Sequence, residues 1–138
     1  MADANSADTQ GRIASPSQLT VLLVEDEVLI RMSVGEELRE EGFLVLEAGN
    51  AQEAKAILQS QTPVDLLFTD IQMPGEMDGV ALARFVRGQY PDIKVIFGSA
   101  NLRNSEAQQI AHAFFSKPYD FASLKCSLRG LLNEGTTG

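Results

Sequence analysis

Between residues 19 and 132 the chain alternates short apolar runs with segments of helical period. The runs are "LTVLLV" (19–24), "FLVLEA" (43–48), "VDLLFT" (64–69), "IKVIFG" (93–98) and "HAFFS" (112–116). Short, largely continuous apolar runs of this kind suit strands buried on both faces. Between residues 28 and 41, Ile30, Val34 and Leu38 recur every fourth position and Gly42 follows, the pattern of an amphipathic helix with a glycine stop. Asn50 and Glu53 form a capping box for a second helix, reaching about Ser60. A further helix is expected from about Gly79 to Arg87. Asp120 caps a last one over 120–132, with Phe121, Leu124, Leu128 and Leu131 as its apolar stripe. Strand followed by helix, five times, predicts an α/β fold: one parallel sheet with helices on both faces.

A chain of 138 residues suits one domain with a substantial core. The folded unit is expected over 19–133. Residues 1–18, rich in Ala, Ser, Asp, Asn and Gln, are read as a disordered arm, and 134–138 as a disordered tail. The formal net charge of −8 and the lack of a basic stripe argue against a nucleic-acid surface and against anionic membranes. No apolar run approaches the roughly 20 residues that cross a bilayer, and the first residues carry no secretory pattern. The single cysteine, Cys126, excludes an internal disulfide framework and is read as a core or helix residue in a reducing, cytoplasmic setting.

Open parallel sheets place their sites at the carboxyl ends of strands. Here the first run ends in Glu25 and Asp26, the third in Asp70, the fourth at Ser99 and the fifth in Lys117-Pro118. A parallel sheet gathers these on one edge: three carboxylates, a hydroxyl and an ammonium. Crowded carboxylates raise one another's pKa values, and a divalent cation relieves that. Oxygen-only ligands favour Mg²⁺, Mn²⁺ or Ca²⁺, and Mg²⁺ commonly serves phosphate chemistry. An aspartate can become an acyl phosphate, and a cation, an ammonium and a hydroxyl are suitable counter-groups for its oxygens. Phosphoryl transfer onto Asp70 therefore stands beside a plainer alternative, acids that only cap helices. His112, the only histidine, falls at the far end of its strand and is read as structural or surface.

In the order "VEDE", "FTDIQMPGEMDG", "VIFGSA" and "FFSKPY", residues 20–132 resemble the receiver domain of bacterial two-component response regulators. The resemblance implies the flavodoxin-like (βα)5 fold with sheet order 2-1-3-4-5, an order for which a receiver of this family is a standard example. It makes Asp70 the phospho-acceptor. Glu25, Asp26, Asp70 and the backbone carbonyl of Gln72 become the ligands of Mg²⁺, with Mn²⁺ also possible. Lys117 pairs with the phosphate, Ser99 takes the switch-hydroxyl place, and Ala100 is the small residue after it. Phe114 takes the place of the switch aromatic, and the Lys117-Pro118 bond is expected to be cis. Gln72 and Asn101 flank the site as tuners of hydrolysis. A histidine kinase or phosphotransfer protein becomes the donor and an unknown downstream protein the target, with self-catalysed phosphotransfer and dephosphorylation as the only chemistry.

The chain departs from the usual pattern in three ways. "MPGEMDG" is one residue longer than the common form, with Met73-Pro74-Gly75 expected to form a turn needing a positive φ. Phe114 lacks the hydroxyl of the usual tyrosine. The span from Ser99 to Lys117 is short, leaving the fourth helix about two turns at about 1.5 Å rise per residue. That shortened helix weakens the expectation of dimerisation through the fourth helix, fifth strand and fifth helix; a monomer or weak homodimer is expected. The expected protein is a single-domain response regulator. Other readings are a non-phosphorylated docking domain, a receiver fragment of a hybrid kinase, a flavin protein and an aspartate-based phosphatase. The last two fit poorly, because "EDE" stands where a flavin phosphate loop would be and Gln72 stands where such phosphatases carry a second acid.

Overall fold

The computed structural model describes residues 19–73, 75–100 and 105–137. The expected arm of residues 1–18, Pro74 and Asn101 lie outside that set. Ten elements alternate along the chain: β1 (Thr20–Val24), α1 (Val28–Glu40), β2 (Leu44–Ala48), α2 (Ala51–Gln59), β3 (Leu66–Asp70), α3 (Gly79–Gln89), β4 (Lys94–Ser99), α4 (Ser105–Ile110), β5 (Ala113–Ser116) and α5 (Phe121–Thr137). The five strands pair in parallel in the order β2-β1-β3-β4-β5. This is the expected sheet.

Side chains of successive strand residues point to opposite faces, so a strand buried on both sides feeds two cores. β1 does this residue by residue. Val21 and Leu23 join Leu66, Phe68 and Ile96 beneath Val34 and Leu38 of α1 and Leu124, Leu128 and Leu132 of α5. Leu22 and Val24 join Leu67, Val95 and Phe97 on the other face, against Ala51 and Leu58 of α2, Leu82 and Val86 of α3 and Ala107 of α4. That two-sided burial explains why the run lacks polar alternation.

The helix ends follow their local signals. After α1, Gly42 adopts φ 101°, and its N–H and that of Phe43 bond back to the carbonyls of Arg39 and Leu38. Asn50 accepts the N–H of Glu53 at 2.8 Å, as a capping box requires. The return arm differs: Glu53 takes the N–H of Gly49, at 2.7 Å, rather than that of Asn50. Asp120 accepts the N–H groups of Ala122 and Ser123. α5 then runs on to Thr137, so residues expected as an unstructured tail are helical to that point. A helix once nucleated extends by one bond per residue without needing an apolar stripe. α4 holds six residues, fewer than two turns. Among the described residues no helix is long and apolar enough to cross a membrane. Cys126 lies on α5 and is exposed.

His112 sits just before β5 rather than within it. Its imidazole Nδ1 accepts the N–H of Val95 at 3.0 Å, while the backbone N–H of His112 donates to the carbonyl of Val95 at 2.8 Å. The ring thus pins the entry of β4 to that of β5. Its Nε2 lies 3.1 Å from Nη1 of Arg87. Partial burial, then the charges of Arg87 and Lys94, hold the imidazole below its ordinary value of 6.5. The folded state therefore binds the proton less readily than the unfolded one. Stability from this group is fully present above about pH 6.5 and is lost as pH falls toward the lower folded value. Urea unfolding at pH 7.5 and 5.5 checks this: His112→Gln should be less destabilised by acid over that window than the wild type. Since this is the chain's only histidine, the difference between the two proteins isolates it.

Candidate functional site

Four of the five parallel strands deliver a polar residue to the carboxyl edge of the sheet. β1 is followed by Glu25, whose N–H continues the ladder to the carbonyl of Ala48 at 3.1 Å. β3 ends in Asp70 and β4 in Ser99, with Asp70 paired in register to Gly98. Ser99 pairs with Ser116 of β5, one residue before Lys117, and the Ser99 carbonyl accepts the Lys117 N–H at 3.1 Å. The Lys117-Pro118 bond is cis, as expected.

The charges meet at Lys117. Its ammonium lies 2.7 Å from Glu25 Oε1 and 2.8 Å from Asp70 Oδ2, with Glu27 Oε1 further out at 3.9 Å. Glu25 is almost wholly buried, and Asp70 and Lys117 expose only 11% and 14% of their side chains. Burial pushes the Glu25 carboxyl up, and Lys117 and the Glu27 N–H pull it part of the way back. Burial pulls the Lys117 ammonium down, but its bonds to Asp70 and Glu25 outweigh that and leave it above its usual range. Tyr119 is pushed up, first by burial and then by the negative charges of Glu25 and Asp70. The cluster thus holds more negative than positive charge. Carboxylate oxygens of Glu25, Asp26 and Asp70 all lie within 4.8 Å of one another, close enough to share one cation. Their chemistry, hard oxygen donors only, fits Mg²⁺.

The remaining sequence-marked residues fall around this centre. Ser99 is buried at the end of β4. Ala100 follows it and is exposed. The N–H of Gln72 points at Asp70 Oδ1, 3.3 Å away. Gly75 has φ 108°, the left-handed conformation expected in that turn. Phe114 stacks on Phe97, centroids 6.0 Å apart at 29°, and is partly buried against the core beneath α2, α3 and α4. Phe115 faces the other core and meets Phe68.

A model of the response regulator receiver domain matches residues 21–129. The chain belongs to that family. Receiver domains are signalling modules of two-component systems. Similar proteins include the sensor kinase CckA of Brucella abortus (strain 2308), 36% identical over 120 residues, which cover 83% of this chain and 13% of that protein. The transcriptional regulatory protein PdtaR of Mycobacterium tuberculosis is 37% identical over 108 residues, 75% of this chain and 52% of its own. This receiver chain thus spans from about an eighth to about half the length of these curated relatives. Among solved structures, the response regulator TrrA of Thermotoga maritima, in complex with Mg(2+)-BeF, is 33% identical with a TM-score of 0.76, covering 83% of this chain and 99% of that one. A CheY-like receiver domain protein from Methanospirillum hungatei is 28% identical with a TM-score of 0.80, covering 86% and 97%.

Two contributors to the receiver's site carry no signal that the sequence reading caught. Arg31 of α1 reaches back to the carbonyl of Glu25 at 2.7 Å; only the fold brings the two into contact. Gly79, the first residue of α3, lies against the backbone of Asp70. Its N–H bonds to the carbonyl of Ile71 at 2.9 Å, and a Cβ placed on it would overlap the Asp70 carbonyl oxygen and sit 2.7 Å from the carbonyl carbon. Main chain cannot swing aside, so a side chain here has to displace α3 or the Asp70 peptide. Gly79→Ala should destabilise the domain by about 1–3 kcal/mol or more, seen as a lower urea midpoint. Gly88→Ala, where a Cβ meets nothing within 4 Å, should not destabilise it.

Proposed function

We propose that this receiver accepts a phosphoryl group on Asp70 in a Mg²⁺-dependent reaction, from a histidine kinase or a phosphotransfer protein. The observation that carries the reading is the contact of Lys117 with Asp70 at 2.8 Å beside carboxylates grouped to share a cation. In the transfer, an Asp70 oxygen bonds to phosphorus as the phosphorus–nitrogen bond of a phosphohistidine donor breaks, and the imidazole leaves with the electron pair. The product is an acyl phosphate. Glu25, Asp26, Asp70 and the Gln72 carbonyl would hold Mg²⁺, which when bound offsets the charge on the phosphoryl oxygens. Lys117 already lies against the attacking carboxylate and is placed to pair with the new group. Ser99, on the same edge, would donate its hydroxyl to a phosphoryl oxygen. Hydrolysis returns Asp70 and inorganic phosphate.

Signalling then follows from a shift between two states that hold the phosphoryl group unequally. Phe114 is the proposed mobile aromatic. It has no hydroxyl, so its positions differ in packing alone. Output passes by protein contact to a downstream partner. The length of the relatives also favours a second setting for the same chemistry, a receiver that works as one unit of a longer regulator or hybrid kinase.

Intact mass after incubation with a small phosphodonor such as acetyl phosphate tests the proposal. The wild type should gain one phosphoryl adduct in Mg²⁺ and none in its absence. Asp70→Asn should gain none while keeping its circular-dichroism spectrum. Equal labelling of that variant would remove Asp70 from the role. A wild type that also stays unlabelled with a panel of histidine kinases would favour a docking domain without phosphotransfer.

A further inference from the structure

We propose that Arg31 is a positioning residue for the cation pocket, locking the peptide between Glu25 and Asp26 so that the Asp26 carboxylate stays turned toward Asp70. The inference rests on the reading of that pocket as a Mg²⁺ site. Its basis is that every polar atom of Glu25 is engaged. The N–H bonds to Ala48. One carboxylate oxygen meets Lys117 and the other takes the N–H of Glu27 at 3.0 Å. The remaining atom, the carbonyl oxygen, is taken by Arg31 Nη1 at 2.7 Å.

That carbonyl belongs to the same peptide plane as the N–H of Asp26. Fixing the plane removes the paired rotation of ψ at Glu25 and φ at Asp26, and φ at Asp26 sets how its Cα–Cβ bond leaves the plane. Arg31 blocks the turn because its guanidinium is itself held. Nε lies 3.3 Å from Glu47 Oε1, and the second Glu47 oxygen lies 2.9 Å from Arg39 Nη2. Arg39 in turn donates to the carbonyl of Val45 at 3.1 Å. Glu47 is a charged residue on β2, paired with Leu23 on a strand otherwise largely apolar. Two glycines leave room for the assembly: a Cβ on Gly35 would sit 3.1 Å from both Arg39 and Glu47, and one on Gly49 would sit 3.3 Å from Arg31. The planar fork of arginine meets the carbonyl and the carboxylate from two nitrogens in a fixed geometry, which the point charge of a lysine does not reproduce. Groups that orient metal ligands from behind change metal affinity strongly when removed.

Electrostatics alone predicts the opposite sign. Arg31 is a cation close to a cation site, so its removal should tighten Mg²⁺ if charge were its only effect. Isothermal titration of the full chain with Mg²⁺, without phosphodonor, separates the two. Arg31→Met should weaken Mg²⁺ by about tenfold or more, with the circular-dichroism spectrum retained. Arg31→Lys, which keeps the charge, should also weaken it, and Glu47→Gln should weaken it by less. Unchanged or tighter binding in Arg31→Met overturns the inference and leaves the Mg²⁺ reading standing. Should Arg31→Met fail to fold, the other two decide: unchanged affinity in both overturns it, weakened affinity in both supports it. A wild type that takes up no Mg²⁺ sinks the reading of the pocket, and this inference with it.

Discussion

One ammonium group holds the carboxyl edge of the sheet together. Glu25 and Asp70 arrive from neighbouring strands, both largely buried, and burial together with the Asp70 charge pushes the Glu25 carboxyl up. Lys117 stands between them with both oxygens within 2.8 Å. It reaches them from the far edge strand, past β4, because the chain leaves β5 at that same edge. Remove the ammonium and two buried carboxylates lose their counter-charge, a larger loss than that of a surface pair. The strand order is therefore a condition of the site. With β4 lying between β3 and β5, the Ser99 carbonyl fixes the main chain of Lys117, while the side chain spans the gap to β3 and β1.

The same lysine meets only one oxygen of each carboxylate, Oε1 of Glu25 and Oδ2 of Asp70. In the proposed Mg²⁺ site the cation would share this cluster with the ammonium. The carboxylates outnumber the ammonium, and Glu27 adds a further acid at the rim. In the proposed reaction a phosphoryl group on Asp70 would add negative charge where Lys117 already sits.

Much of this was legible in the sequence, for identifiable reasons. A strand buried on both faces must be a continuous apolar run, and a helix against a sheet must show period 3.6, so their alternation fixed a parallel sheet. Parallelism then placed Glu25, Asp26, Asp70, Ser99 and Lys117 on one edge before any distance was known. The family resemblance supplied the strand order and the roles. What stayed hidden depends on contacts across the fold. Arg31 reads as one more polar position on an amphipathic helix, and its carbonyl partner leaves no mark in the sequence. Gly79 reads only as the start of a helix, though its reason is the Asp70 backbone behind it. The run "HAFFS" reads as a strand one residue longer than β5, because His112 adjoins its aromatics; its imidazole instead bonds to the main chain of β4. The helical continuation of α5 escaped notice because the apolar stripe stops before the backbone ladder does.

The short α4 bears on how a change at Asp70 leaves the site. Six residues bury little surface of their own, here chiefly Ala107, and a helix this short depends on its neighbours. It is tied to α3 by the ion pair of Arg84 with Glu106, and the chain after it is tied to β4 by His112 and Val95. Phe114 lies on the same side, stacked on Phe97 two residues before Ser99. A shift of Ser99 toward a phosphoryl oxygen would thus pull on a strand whose next inward-facing aromatic already holds Phe114. Packing resists small displacements and yields in discrete steps. Phe114 has no hydroxyl, so in the proposed switch a second position of its ring would be held by packing alone, first of all against Phe97.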